Sequence, residues 1–204
     1  MRILVVGATG TIGTAVVQAL ETRHEVVAVS HSSSALTVDM ADCDSIARLY
    51  ARVGKVDAVV CTAGHAAFRP LLALSDAELA HSLTGKLMGQ VNLVRLGVDV
   101  LTDGGSFTLS SGLLSRQPMR GSAAISMVNA GIEGFVRAAA LDLPRAIRVN
   151  AVAPSWVRET LVALGRDPSP GVSAAQVAET YVRCVEGAMT GQVLDVFLGV
   201  GGVP

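Results

Sequence analysis

Between Arg2 and Leu20 the chain reads RILVVGATGTIGTAVVQAL, and no other stretch limits its fold as tightly. Ile3, Leu4, Val5 and Val6 form an unbroken apolar run, the pattern of a strand buried on both faces. Gly7, Gly10 and Gly13 follow at three-residue spacing, and Thr14 to Leu20 then places Ala15, Val16, Ala19 and Leu20 at helical intervals. The order is strand, glycine turn, helix. In such a turn Gly7 takes the tight bend out of the strand, Gly10 keeps side chains away from a pyrophosphate, and Gly13 lets the helix pack close to the sheet. The helix start then directs unpaired N–H groups at the phosphates. A glycine-rich turn without a ligand shares this pattern. Its position directly after a buried-type strand points instead to a dinucleotide, with Thr9, Thr11 and Ile12 completing the loop.

The rest of the chain repeats the alternation. Strands are predicted at Glu25–Ser30, Leu36–Asp39, Lys55–Cys61, Ser106–Ser110, Arg148–Val152 and Gln192–Leu198. Helices are predicted from Asp44 or Ser45 to Val53, over Ser75–Leu101 with Ser75 and Glu78 as a capping box, over Gly121–Leu143, and from Ser173 or Ala174 to about Gly187. Leu83, Leu87, Val91 and Val94 form the expected core stripe of the first long helix, and Gly85, Gly89 and Gly97 permit close approach of another helix or chain. Val157–Gly171 reads as irregular. The expectation is α/β: a single doubly wound Rossmann-type domain over residues 1–204, with a seven-stranded, mostly parallel sheet and helices on both faces.

Charge and composition exclude some partners. A net charge of −1 offers no electrostatic case for nucleic acid or an anionic membrane. The uncharged run Ile3–Leu20 matches a signal peptide or span in length, but its glycines, threonines and Gln18 argue against both. Cys43, Cys61 and Cys184 are odd in number and widely spaced, which fits reduced, buried thiols in a cytoplasmic protein and no metal site. Aromatics are scarce at 3 %, so the core must be built from Ala, Val and Leu.

The second strand ends in Ser30, His31, Ser32 with no acid to bind a ribose 2′-hydroxyl, which favours NADP while leaving NAD possible. A solvated serine-rich loop would read the same way. Asp39 could accept from an adenine amino group or simply close a turn.

Taken in order, these pieces resemble the short-chain dehydrogenase/reductase family over nearly the whole chain. Gly7 to Gly13 resembles its cofactor loop, in the spacing of atypical and extended members. Asp39 matches the adenine-contacting aspartate, and Thr62-Ala63-Gly64 resembles the Asn-Ala-Gly signature with Thr for Asn. Ser110-Ser111-Gly112 ends the serine strand. Arg148-Val149-Asn150 with Pro154 and Thr160 matches the segment running past the nicotinamide, and Gly191 to Gly199 resembles the closing strand. The resemblance implies cofactor contacts from Met40, Ala63, Gly64, Asn129, Pro154 and Val157 as well. It also implies a two-fold homodimer or homotetramer.

The family's proton chemistry uses a Tyr and a Lys four residues apart. Here Ile125 and Asn129 stand at those positions, Lys86 stands at the helix asparagine in preference to Asn92, and Ser111 matches the serine. Candidate acids are Lys86, if desolvated, and His65 beside the Thr-Ala-Gly turn. Arg116, Trp156 and Arg158 are expected to border a small or open substrate site. Two functions follow: an NADP-dependent oxidoreductase acting on a small carbonyl or alcohol with a non-standard active site, or a catalytically inactive nucleotide-binding sensor or partner protein on the same fold. No residue selects non-redox chemistry.

Overall fold

The computed structural model describes residues 1–198. Seven strands, β1 (Arg2–Val6), β2 (Glu25–Ser30), β3 (Leu36–Thr37), β4 (Val56–Cys61), β5 (Leu101–Ser110), β6 (Arg148–Pro154) and β7 (Val193–Val196), form one sheet in the order β3-β2-β1-β4-β5-β6-β7. Every pair is parallel, so the sheet is wholly rather than mostly parallel. The helices are α1 (Thr11–Glu21), α2 (Cys43–Val53), α3 (Asp76–His81), α4 (Gly89–Gly97), α5 (Ala123–Asp142), α6 (Arg158–Ala163) and α7 (Ala174–Glu186).

The alternation of strand side chains divides the core in two. Leu4 and Val6 of β1 join Val59, Phe107 and Leu109 against Ile46, Leu93, Ile132 and Val136 of α2, α4 and α5. Ile3 and Val5 join Ala58, Val60 and Val152 against Val16, Leu20, Val177 and Tyr181 of α1 and α7. That is the doubly wound arrangement. The strand order reverses between β1 and β4, and the crevice at their carboxyl ends is where such sheets hold ligands. α5 is long and apolar enough to cross a bilayer, but Val128, Ile132 and Val136 are buried within the chain.

The main departure is the long helix expected over Ser75–Leu101. The capping box is present, with the Ser75 and Glu78 side chains bonding each other's backbone N–H. The helix then widens into a π segment at Ser82–Met88 before continuing as α4. The wider turns rotate the inward face onto Lys86, Gln90, Leu93 and Gly97, and leave Leu83, Leu87 and Val91 half-buried. The helix stops at Gly97, because Leu101 already pairs with Val56 at the start of β5. Gly104 then turns at φ 74° where the register shifts before Ser106. Two of the three helical glycines admit close neighbours: a Cβ at Gly97 would lie 2.6 Å from the Tyr50 hydroxyl of α2, and one at Gly89 would lie 2.9 Å from Met40, whereas one at Gly85 would meet only His81, at 3.9 Å.

Smaller corrections have local causes. Asp42 accepts from the Asp44 N–H and so starts α2 at Cys43, one turn position early, leaving the Cys43 thiol exposed rather than buried. The segment Val157–Gly171 is not irregular throughout, since α6 occupies Arg158–Ala163. β3 is only two residues long, and Asp39 lies beyond it. α7 begins at Ala174 with Ser173 and Gln176 forming a second capping box. β7 is shorter than expected, and Gly199 lies outside the described residues.

Candidate active site

At the end of β1, Gly7 turns at φ 88°, and its N–H and that of Ala8 both bond the Val29 carbonyl, at 2.8 and 3.0 Å. The Thr62 hydroxyl ties the turn from the other side, donating to the Val6 and Gly7 carbonyls (each 3.1 Å). A Cβ on Gly13 would sit 1.9 Å from the Gly7 carbonyl oxygen, so this glycine lets α1 pack on the turn itself. Gly10 differs. Its φ of −77° suits any residue, and an added Cβ would meet only the Gly7 oxygen at 3.5 Å. The chain itself therefore has no need of glycine there, whereas a ligand against that backbone does. Thr9, Gly10 and Thr11 are exposed and Ile12 is half-buried. Among the described residues no side chain caps α1, so its first-turn N–H groups point outward unpaired.

A cavity of about 320 Å³ opens beside this turn. Ser30, His31, Asp39, Met40, Ala63 and Gly64 of the expected set line it, with Gly85 and His81 on the opposite wall. Ser32 is exposed and outside the lining. The Ser30 hydroxyl accepts from the Ser33 N–H at 2.7 Å and retains its own proton. Asp39 uses one carboxylate oxygen on the Ala41 N–H, leaving the other to accept.

His65 lines this cavity and also a larger one of about 600 Å³, so the two adjoin at that side chain. The larger cavity collects Lys86, Ser111, Asn129, Pro154 and Val157 of the expected site, together with Ile125. The π segment turns Lys86 inward, its stem packed so closely on Gly64 that a Cβ there would meet the lysine Cγ at 2.9 Å. Burial pulls the Lys86 amine down to about 8, against an opposing pull from Cys61, whose thiol burial pushes up to about 12. Among the described residues the amine has no hydrogen-bond partner.

Ser111 does not present a free hydroxyl. Its Oγ donates to Glu133 at 2.9 Å, and Glu133 also receives Ser115 (2.5 Å), Arg116 (3.5 Å) and Arg137 (3.3 Å). Glu133 is 3 % exposed. Nothing in its surroundings in sequence marks it, since an acid four residues before Arg137 reads as a solvated helix pair. Gln90 likewise carries no local mark in the sequence. Fully buried by the π segment, it clamps the end of β5, donating to the Ser110 carbonyl (3.0 Å) and accepting from the Ser110 N–H (2.7 Å). Asn129 donates to the Gly112 carbonyl at 3.4 Å, but its carbonyl oxygen and the Ser155 hydroxyl are buried without partners. Such orphans cost about 1–3 kcal/mol each unless a ligand engages them. Asn129 and Ser155 both line the cavity, and donors such as ribose hydroxyls or a carboxamide fit them.

Several expected neighbours lie elsewhere. Arg148 donates to the carbonyls of Cys184 and Val185, and Asn150 bridges Met189 and Gln192, so both brace β6 against the chain around α7 and β7. Asn92 holds Arg95. Arg116 is taken by Glu133 and Asp195, and Arg158 does not line the cavity. Trp156 does, with Phe68 edge-on at 6.1 Å and Arg166 over its ring at 5.7 Å. Both tyrosines are buried away from the cleft, Tyr50 on the Leu93 carbonyl (2.6 Å) and Tyr181 against Ser110, with burial pushing both phenols well up.

A family model described as enoyl-(acyl carrier protein) reductase matches residues 7–193. A solved Listeria innocua protein is 40 % identical, with 97 % of this chain and all of that one covered, at a TM-score of 0.92. A small-chain dehydrogenase is 28 % identical over 98 % of this chain and 97 % of its own, at a TM-score of 0.85. Another, in complex with NADPH, is 26 % identical over 97 % and 96 %, also at 0.85. An uncharacterised oxidoreductase of Mycobacterium tuberculosis (strain CDC 1551 / Oshkosh) is 30 % identical over 140 residues. That match takes in 65 % of this chain but spans only about half of the relative, 53 %.

Proposed function

The chain belongs to the short-chain dehydrogenase/reductase family of oxidoreductases, and from that premise we propose that it binds NADP and reduces a small carbonyl compound, with Lys86 as the proton donor. One observation carries the reading: a desolvated amine drawn to about 8 faces a cavity that adjoins, at His65, the one beside the glycine turn. A general acid works best with a pKa near the operating pH. When bound, the cofactor supplies the hydride that reaches the carbonyl carbon. The Lys86 ammonium gives its proton to the carbonyl oxygen, and the neutral amine is recharged through His65 and solvent at the junction of the two cavities.

The N–H groups of Thr11, Ile12 and Gly13 would hold the diphosphate, and Asp39 the adenine amino group. The orphaned Asn129 oxygen would accept from a ribose hydroxyl, and Ser155 would meet the carboxamide. Ser111, with its proton on Glu133, offers lone pairs and therefore accepts from a donor in the cavity instead of polarising a carbonyl. Support for NADP over NAD comes from Ser30 and His31 at the end of β2, with no acid to repel a 2′-phosphate, and from the NADPH bound by the small-chain dehydrogenase.

A second reading has its own observation. No phenol reaches the cleft, since Tyr50 and Tyr181 are committed elsewhere, and a nucleotide-binding sensor or partner protein without turnover needs none. NADPH oxidation across a panel of aldehydes and ketones separates the two. The proposal expects turnover that falls sharply in Lys86→Met. Tight NADPH binding with no turnover on any carbonyl would select the second reading, and unchanged turnover in Lys86→Met would remove the lysine.

A further inference from the structure

The charges in the larger cavity are all of one kind. Its lining holds the basic groups of Lys86 and Arg166, and among the described residues no carboxylate. The remaining wall is largely apolar, with Phe68, Leu113, Met119, Ile125, Trp156 and Leu164. Lys86 lies buried in the wall. Arg166 is exposed, yet two features of the local chain hold it in place and a third leaves it unpaired.

The first is the end of α6. Gly165 adopts φ 64°, its N–H bonds the Val162 carbonyl at 2.9 Å, and the Arg166 N–H reaches back to the Leu161 carbonyl at 2.9 Å. This paired bonding with a left-handed glycine is the Schellman ending, and it fixes the backbone of Arg166. The second is Trp156. The Arg166 guanidinium lies 5.7 Å from the centre of the indole ring, which Phe68 buttresses edge-on. The third is the neighbouring carboxylate. Asp167 turns to Ser169, accepting from its N–H at 2.9 Å and its hydroxyl at 2.6 Å, and makes no ion pair with Arg166. No other acid among the described residues pairs with Arg166, whereas Arg116, Arg137 and Arg145 all have carboxylate partners.

We infer that Arg166, backed by Trp156, is the anchor for a carboxylate on the substrate, so that the ligand class is an apolar acid carrying the reactive carbonyl deeper in the cavity. The inference rests on reading the larger cavity as the substrate site. A guanidinium held over an aromatic ring keeps N–H groups for a planar carboxylate, which can accept two of them side by side. The apolar wall receives the body of the molecule, and the absence of lining acids removes repulsion along its path. A neutral thioester or amide of the same shape would leave the cation without a partner.

Trp156 is the chain's only tryptophan, so its fluorescence reports on this wall without any turnover. Octanoate and phenylacetate are titrated against octanamide and phenylacetamide, with and without saturating NADP, by fluorescence and by calorimetry. Each acid is expected to bind about tenfold tighter than its amide. Arg166→Gln is expected to erase that difference with the circular dichroism spectrum unchanged, and Arg166→Lys to restore part of it. Amides that bind as well as the acids, an acid preference that survives Arg166→Gln, or no binding of any probe would each overturn the anchor. Loss of NADPH oxidation on all carbonyls with the acid preference intact would count against the reductase reading and leave the anchor standing.

Discussion

Replacing Lys86 by Met should make the protein more stable and less active at once. The Lys86 side chain is desolvated and its ammonium forms no ion pair among the described residues, and lowering its pKa from 10.5 to about 8 corresponds to about 3 kcal/mol against the charged form. The sign follows from proton counts. Between pH about 8 and 10.5 the unfolded chain holds a proton on Lys86 that the folded chain has lost, so stability rises with pH across that window. Below about 8 both states are protonated and the folded protein carries the whole penalty. Met fills similar space without the charge, so at pH 7 the variant should gain up to about 3 kcal/mol, or roughly 5–10 °C in Tm. Urea denaturation of both proteins from pH 7 to 10.5 measures this. The difference between them should shrink towards zero as pH rises, which cancels alkaline effects common to both. In the same variant kcat for carbonyl reduction should fall about 10²–10⁴-fold, and wild-type kcat should decline above pH about 8 as the acid is lost. A variant that is less stable than wild type, or a stability difference independent of pH, would refute an unpaired buried amine at this position.

Three other outcomes follow. Gly13→Ala forces a Cβ to within 1.9 Å of the Gly7 carbonyl and should lower stability by more than about 2 kcal/mol in urea, whereas Gly10→Leu, which meets no steric clash and loses only a tolerated N-cap residue of α1, should cost no more than about 1 kcal/mol. Glu133→Gln removes an oxygen acceptor from a carboxylate serving Ser111, Ser115, Arg116 and Arg137, and should cost about 2 kcal/mol, with an unchanged midpoint counting against the network. Met88, Leu96 and Met127 stay exposed on the π segment, α4 and α5, and light scattering at micromolar concentration should find a dimer or tetramer where a monomer would contradict the proposed two-fold assembly.

What the sequence disclosed depended on whether a residue's role was local. The buried run Ile3–Val6, the glycine spacing, the Ser75/Glu78 capping box and the Ser173 cap depend on neighbours a few positions away, and the structure realises them nearly as read. The π segment does not announce itself, because Leu83, Leu87, Val91 and Val94 keep ordinary helical spacing while the wider turns present Lys86 and Gln90 to the interior. Lys86 follows from its position relative to the serine strand, and its burial supplies the chemistry. Glu133 and Arg166 look like surface charges in the sequence. One is turned inward to two serines, and the other is set on Trp156 by a glycine that also ends α6. Arg148 and Asn150 show the reverse: a motif in the expected order that braces the sheet and lies away from the cleft.

The most direct test of the account is calorimetric titration of the folded protein with NADPH and NADH, on wild type and on Gly10→Leu. The account predicts micromolar or tighter NADPH binding, weaker NADH binding, and loss of both in Gly10→Leu, whose side chain would occupy the place of the diphosphate on the first turn of α1. Absence of binding by either dinucleotide to wild type, or equal affinity in Gly10→Leu, would contradict it.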